Sequence, residues 1–441
     1  MNFEEYRLSF NEKAVIVSLV CPKFEGHETM EESQASINEM KELLRTLEIP
    51  TGSDFIQVRK SLDPATMIGA GKIEEIAELC RTEKSNLLVF DFELSASQQR
   101  NIKEIAKINV IDRNSVILEI FAKHARTKEA KIQIEISRLQ YLLPRLTSMW
   151  THLSKQRGGG LAVKGEGEQQ IELDRRIIRE RIEHHKRELA EIKIARMERS
   201  KKRKNMAITA ALVGYTNAGK SSLMNRLCKV NVLEENKLFA TLDSTYRTLN
   251  PDTKPPMILI DTVGFISNLP NTLIEGFKTT LESALEADLL IIVVDLSDPN
   301  YKKQMTVTED VLNELGLENK ERIIVFNKKD KISDPFMPKI AMRQYKASFL
   351  VSSYNEDDMK NLREYILNYF LEMQEHYDLF VPYTDGSAHS KVRGQTNVMK
   401  AIPHEQGIFY RIRVPDFIFN GLGLFEFVLK PQDPMTEIFK N

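Results

Sequence analysis

The 441 residues hold three cysteines and one tryptophan, Trp150, and their formal net charge is only -1. Cys21, Cys80 and Cys228 are scattered and lack the paired spacing of a metal site. Free thiols in a reducing cytoplasm are the expectation. No apolar stretch approaches the ~20 residues a membrane helix needs. The longest apolar run, Leu289 to Val294, reads as a buried strand. The opening NFEEYRLSF is acidic and mixed, unlike the basic and apolar start of a secretory signal. The near-zero net charge gives no general pull toward polyanions. The charge is unevenly placed, however: residues 145–204 contain 17 Lys/Arg against 9 Asp/Glu. Such a basic block points toward nucleic acid.

What is present sorts into four expected domains. Residues 1–114 alternate short β-branched runs (13–20, 54–60, 86–92) with helical patterns (30–47, 72–83, 96–107), which implies a small parallel α/β layer. Residues 115–204 change period. Ile132, Ile136, Leu139, Leu143 and Leu146 form one seam at steps of three and four, and Ile171, Ile178, Ile182, His185, Leu189 and Ile192 form a second. Between the seams, five glycines fall within Gly158–Gly167. The pattern is that of two long antiparallel helices joined by a glycine-rich tip. Residues 205–373 alternate strand and helix again, through AITAALVG, PMILIDTVG, ADLLIIVVDLS, RIIVFNKKD and FLVSS. Residues 374–441 contain TNVMKAIP, GIFYRIRVP and LFEFVLK, read as three strands with one short helix, a small α+β domain without recognisable chemistry. The fold class is therefore α/β.

The third domain carries the chemistry. Gly214-Tyr215-Thr216-Asn217-Ala218-Gly219-Lys220-Ser221 fits G-x-x-x-x-G-K-[ST] between a strand and a helix. In that setting backbone N–H groups and the helix N-terminus surround phosphates, Lys220 bridges the β- and γ-phosphates, and Ser221 ligates Mg2+. Asp261-Thr262-Val263-Gly264 ends an apolar strand, where the aspartate can reach Mg2+ through water and Gly264 can offer its N–H to the γ-phosphate. Asn327-Lys328-Lys329-Asp330 ends another strand. The Asp330 carboxylate matches the N1–H and 2-amino pair of guanine, which adenine lacks, so the site selects GTP over ATP. Val351-Ser352-Ser353 fits the last base-contacting loop. Phe239-Ala240-Thr241-Leu242-Asp243 lies where a threonine reaches Mg2+ in the GTP state; Thr241 is the first choice and Thr245 the alternative. Phe265 follows the DxxG sequence where Ras-like enzymes carry a water-orienting glutamine, and a phenyl ring cannot polarise water. Slow intrinsic hydrolysis follows, accelerated by a partner. Gly69-Ala70-Gly71-Lys72 before a helix lacks full P-loop spacing and is read as a turn and helix cap.

GYTNAGKSSL, LFATLDST, DTVGFI and the upstream GGGLAVKGEGEQQIELDRRIIRERI together resemble the HflX GTPases of the Obg-HflX-like superfamily, from the Ser61–Lys72 stretch to about Ser353. Relatives read GGxGxRGPGExxxExDRRxxRxRI upstream; here Glu166 replaces the proline and Lys164 takes the arginine position, so contacts of this loop can differ from the family's. The resemblance implies a monomeric cytoplasmic GTPase, partly bound to ribosomes or membrane surfaces, that splits or rescues ribosomes through the large subunit. It implies that the hairpin tip reaches rRNA near the peptidyl-transferase centre. The residues expected to touch rRNA are Arg157, Gly158, Gly159, Gly160, Lys164, Gly165, Gly167, Arg175, Arg176 and Arg179. Arg/Lys on a narrow probe suit RNA read through phosphates and shape. Trp150 is expected at the base of the tip loop. The alternative is a regulatory GTPase whose hairpin docks a protein.

Overall fold

The computed structural model describes residues 12–24, 26–146, 166–204, 206–229, 238–239, 244–267, 284–332, 334–345 and 347–429. The chain divides into two compact units. One comprises Met1–Ile192, Glu235–Asp243 and Ser267–Phe277, and the other Lys193–Glu234, Ser244–Ile266 and Lys278–Asn441.

In the first unit, β1 (Ala14–Val20), β2 (Thr51–Val58), β3 (Leu87–Phe90) and β4 (Asn109–Asp112) form a parallel sheet in the order β2-β1-β3-β4. Every residue of β1 is buried, as expected of a central parallel strand covered on both faces. The helices are α1 (Met30–Thr46), α2 (Ala70–Thr82), α3 (Ala96–Ala106) and α4 (Arg113–His124). Reciprocal capping boxes start α1 (Thr29 with Glu32) and α3 (Ser95 with Gln98). Val15, Val17 and Leu19 pack with Ile73, Ile76 and Ile102 of α2 and α3. Cys21 and Cys80 are buried free thiols, and Cys228 in the second unit is a partly buried one. Gly69 is the N-cap of α2 at φ 95°, and Lys72 pairs with Glu75 at 2.7 Å, a turn and cap as expected.

The hairpin seam is present. Helix α5 (Lys128–Leu142) starts at the Thr127 cap, and α6 runs from Glu166 to Lys204, 39 residues and about 58 Å at 1.5 Å each. Ile132, Ile136, Leu139 and Leu146 pack with Ile178 and Ile182, flanked by Leu143, Leu189 and Ile192. The expected seam residues Ile171 and His185 are only half-buried. Gly167, expected in the tip loop, falls inside α6. Trp150, Arg157, Gly158, Gly159, Gly160, Lys164 and Gly165 lie outside the described residues.

A polar knot ties α5 to the sheet. Asp112, at the end of β4, accepts from Ser115 N (2.9 Å), Tyr141 Oη (2.9 Å) and Leu94 N (3.2 Å). Arg145 lies 3.6 Å over the Tyr141 ring and 3.4 Å from Asp112.

In the second unit, β5 (Ile208–Val213), β6 (Thr245–Asn250), β7 (Met257–Asp261), β8 (Leu289–Asp295), β9 (Arg322–Asn327) and β10 (Ser348–Leu350) form a sheet ordered β10-β9-β8-β5-β7-β6. All neighbours are parallel except β6, which runs antiparallel to β7 along one edge. The helices are α7 (Lys220–Leu227), α8 (Tyr301–Glu314), α9 (Met337–Gln344) and α10 (Glu356–Glu372). Then β11 (Glu375–Pro382), α11 (Gly386–Gln395), β12 (Asn397–His404), β13 (Gly407–Val414) and α12 (Asp416–Leu422) build an antiparallel sheet ordered β11-β13-β12. One core runs through both sheets, from Leu212 and Leu259 by way of Ile366 and Phe370 to Leu379, Tyr410 and Phe419.

Two readings of the tail are corrected. LFEFVLK was expected to be a strand. Instead Gly423 ends α12 in the left-handed region at φ 65°, and Phe425–Phe427 make a 3-10 turn, with Val428 touching β11 through a single bridge at Leu379. The tail also has two helices rather than one, α11 and α12.

Burial, followed by the neighbouring Asp112 carboxylate, holds the Tyr141 phenol well above its usual pKa, so it stays a hydrogen-bond donor. Tyr141→Phe should leave a buried carboxylate one donor short and cost about 1–2 kcal/mol. Urea unfolding followed by circular dichroism measures this; an unchanged midpoint would mean that the knot contributes nothing to stability.

Candidate functional site

Strand β5 delivers the chain to Gly214 at φ 142°, where a Cβ would collide with the Val293 carbonyl. The loop then turns through Asn217 (φ 59°) and Gly219 (φ 94°) into α7. Two backbone bonds clamp it to the segment after β7: Thr216 N donates to Phe265 O (2.7 Å), and Phe265 N donates to Gly214 O (3.0 Å). The Phe265 ring is fully buried. Gly264 passes so close that a Cβ would stand 2.8 Å from Lys220 Nζ and 2.8 Å from Thr216 Cα.

Lys220 is buried and donates to Gly214 O (3.0 Å) and Tyr215 O (2.7 Å). Burial pulls its pKa from 10.5 down to about 8, against the opposing attraction of Asp261. Ser221 Oγ donates to Asp261 Oδ2 at 2.6 Å. A hydroxyl and a carboxylate side by side are hard oxygen donors of the kind that holds Mg2+. Among the described residues the buried Thr216 hydroxyl has no hydrogen-bond partner, so it is free to donate to a phosphate oxygen. Thr262 Oγ1 instead bonds Leu212 O, a structural tie between β7 and β5.

At the ends of β9 and β10, Asn327 is the fastener. Its Nδ2 donates to Ala218 O (3.0 Å), and its Oδ1 accepts from Ser353 N (3.2 Å) and Ser353 Oγ (2.9 Å). Asp330 accepts from Ser352 Oγ at 2.5 Å and is otherwise exposed. Lys329 N donates to Val351 O (3.1 Å). Thus 214–221, 261–265, 327–330 and 351–353 are joined by direct bonds. Two residues of this network were not anticipated. Asp295, at the end of β8, pairs with Lys328 at 2.6 Å, and Asp358 accepts from Ser352 N at 2.9 Å. An aspartate closing the apolar run LLIIVV was the available signal for the first, as it was for Asp261.

The segment 239–243 is different. Ala240, Thr241, Leu242 and Asp243 lie outside the described residues. Phe239, expected to line the nucleotide, is buried with its ring 4.6 Å from Phe121 of α4. Its side chain is therefore an apolar packing group. The alternative threonine, Thr245, begins β6 directly opposite Asp261.

Residues 34–122 match the GTP-binding GTPase N-terminal model, 124–203 the GTP-binding GTPase middle region, and 209–328 the 50S ribosome-binding GTPase model. GTPase HflX of Alkalihalophilus pseudofirmus is 40% identical over 83% of this chain and 86% of its own length. That of Akkermansia muciniphila is 38% identical over 94% and 97%. The chain belongs to the HflX family of GTPases. It binds GTP and hydrolyses it. A GTP-binding protein of Sulfolobus solfataricus, solved in complex with GDP, is 26% identical, covers 81% of this chain and 98% of its own, and superposes with a TM-score of 0.43.

The depressed Lys220 has two consequences. Without nucleotide, its charge opposes folding below pH 8, and this opposition fades as pH rises from about 8 toward 10.5, because the unfolded chain then binds more protons than the folded one. A polyphosphate beside it raises the pKa again. Above pH 8, GTP binding should therefore take up a proton and weaken as pH climbs; at pH 7 uptake by this group should be near zero. Calorimetry at pH 9 in buffers of different ionisation enthalpy reads the uptake directly, and none there would contradict this placement of the charge.

Proposed function

We propose that this GTPase acts on the large ribosomal subunit, splitting or rescuing ribosomes, with the helical hairpin as its rRNA probe. The basic stretch 145–204 carries the reading: 17 Lys/Arg against 9 Asp/Glu on one hairpin. On α6, Arg179 is exposed with no carboxylate partner among the described residues, while Arg175 and Arg176 make only long pairs of 3.7 Å with Glu172 and Glu180. Such exposed pairs contribute about 0–1 kcal/mol, so phosphates can replace the carboxylates at little cost. A 50S ribosome-binding family model over residues 209–328 supports the same partner.

In this reading four domains divide the work: 1–114, the hairpin 115–204, the G domain 205–373 and the tail 374–441. Residues 214–221 hold the phosphates. Ser221, and Thr241 (alternative Thr245) in the GTP state, would hold Mg2+, with Asp261 reaching it through water; the ion would supply charge neutralisation for the phosphates. Asp330, with the loop 351–353, reads guanine. Buried Phe265 supplies no water-activating group, so basal hydrolysis is slow and the ribosome accelerates it. Among the described residues no helix is long and apolar enough to cross a membrane. The protein is read as a cytoplasmic monomer, partly bound to ribosomes or membrane surfaces.

Three variants test this. Asp330→Asn should weaken GTP binding and favour xanthosine nucleotide, since the amide presents a donor where guanine needs an acceptor; unchanged GTP affinity by calorimetry would refute the base-reading role. Replacing residues 158–167 by a short neutral linker should leave GTP binding intact, lower sedimentation with large subunits only in part, and abolish subunit splitting by light scattering. Neutralising Arg175, Arg176 and Arg179 should instead lower subunit affinity broadly and flatten its salt dependence. Full splitting activity in the linker variant would favour a protein-docking arm.

A further inference from the structure

The two loops assigned to the guanine base are tied together by a carboxylate that belongs to neither. Asp358 lies in the first turn of α10, with its side chain 15% exposed. Its backbone N–H donates to the Asn355 cap at 2.9 Å, an ordinary helix start. Its carboxylate, however, bonds outside the helix. Oδ2 accepts from Ser352 N at 2.9 Å, and Oδ1 accepts from Lys329 Nζ at 3.2 Å. The adjacent Glu356 and Asp357 are exposed and already place negative charge at the helix N-terminus, so the helix dipole does not require a third acid.

Ser352 is the middle of a short chain of bonds. Its N–H goes to Asp358, and its hydroxyl donates to Asp330 Oδ1 at 2.5 Å. Its neighbour Ser353 is held from the other side by Asn327. Among the described residues the Ser352 hydroxyl is the one donor to the Asp330 carboxylate. The terminal torsion of an aspartate is broad, so an exposed carboxylate turns easily. A carboxylate that accepts from two donors of one flat base must instead lie in the plane of that base. The lone pairs left on Asp330 suffice for both bonds, provided that the Ser352 hydroxyl holds the group in that plane.

We propose that Asp358 is a positioning residue for guanine recognition: through the Ser352 N–H it places the hydroxyl that orients the Asp330 carboxylate toward the N1–H and 2-amino group. This role presupposes the base-reading role proposed above for Asp330. Lys329 offsets the charge of the second carboxylate, which shares Ser352 with the first.

The test uses the full chain and calorimetric affinities for GDP and inosine diphosphate. Hypoxanthine keeps N1–H and lacks the 2-amino group, so the ratio of the two dissociation constants reports the second base bond. Asp358→Ala should lower this preference for GDP by at least about threefold, as loosening one hydrogen bond requires. Alanine is a good helix former and the side chain it replaces lies outside the apolar core, so the variant should fold. Asp358→Asn keeps an acceptor for the Ser352 N–H and should restore most of the preference. Ser352→Ala should also lower it, and adding Asp358→Ala should change it no further, because both act on one chain of bonds. An unchanged preference in Asp358→Ala overturns the proposal, even if the melting temperature falls, since the residue would then serve the helix alone. Multiplying effects of Asp358→Ala and Ser352→Ala would overturn it as well. If Asp330→Asn binds GDP as the parent does, the base-reading role itself fails; if Asp330→Asn loses GDP while Asp358→Ala keeps the preference, only the role of Asp358 fails.

Discussion

The nucleotide-binding end of the second unit depends on one side chain, the Asn327 amide. It fastens the phosphate loop through Ala218 O and the loop after β10 through the Ser353 N–H and hydroxyl. Three segments far apart in sequence are thereby held at one spacing by protein groups. The constraint reaches back into the sequence: a Cβ at residue 219 would strike the Asn327 amide nitrogen, so the glycine there is required by this contact as well as by its left-handed backbone. Neighbouring groups extend the same scaffold, with Asp295 holding Lys328 and Asp358 holding the Ser352 N–H. Groups fixed in this way lose little freedom when a ligand arrives, which is how preorganisation raises affinity.

A second tie joins Phe265 to Gly214 and Thr216, and the buried ring is what a phenylalanine adds at this position. Its backbone N–H and carbonyl both bond the phosphate loop, and its ring fills the interior beneath. The position is used for holding two loops together rather than for activating water. Gly264, pressed against Lys220 and Thr216, leaves no room for a side chain on that side.

That 214–221, 261–265, 327–330 and 351–353 belong together was legible in the sequence because motifs of this kind fix residue types at fixed spacing at strand ends. The hairpin seam was legible because apolar periodicity survives on an exposed helix. What was missed follows from weaker signals. Strand β6, TYRTLN, is a half-exposed antiparallel edge whose threonines and arginine resemble a loop, and β4 has only four residues. LFEFVLK alternates as a strand does, yet it follows the left-handed Gly423 and meets only an isolated bridge. Arg113 is 1% exposed and pairs with Glu39, so a pattern of apolar residues could not place it in the interior. The motif places Phe239 in a nucleotide loop but could not show that its ring packs on Phe121.

The hairpin shows how one helix can be both anchored and available. Its apolar seam is narrow: among the described residues Ile178 and Ile182 are buried against α5 and its continuation, with Leu189 and Ile192 partly buried beside them. The Asp112–Tyr141–Arg145 knot then fixes α5 to the sheet, so the seam transmits position without using the basic face. Arg176 and Arg179 stay exposed, and Arg175 only half-buried. Had these arginines been needed for the seam, their exchange with a polyanion would unfold the hairpin. Because their present partners are solvent and exposed glutamates, the same charges can leave for phosphate while the isoleucines hold the helix in place.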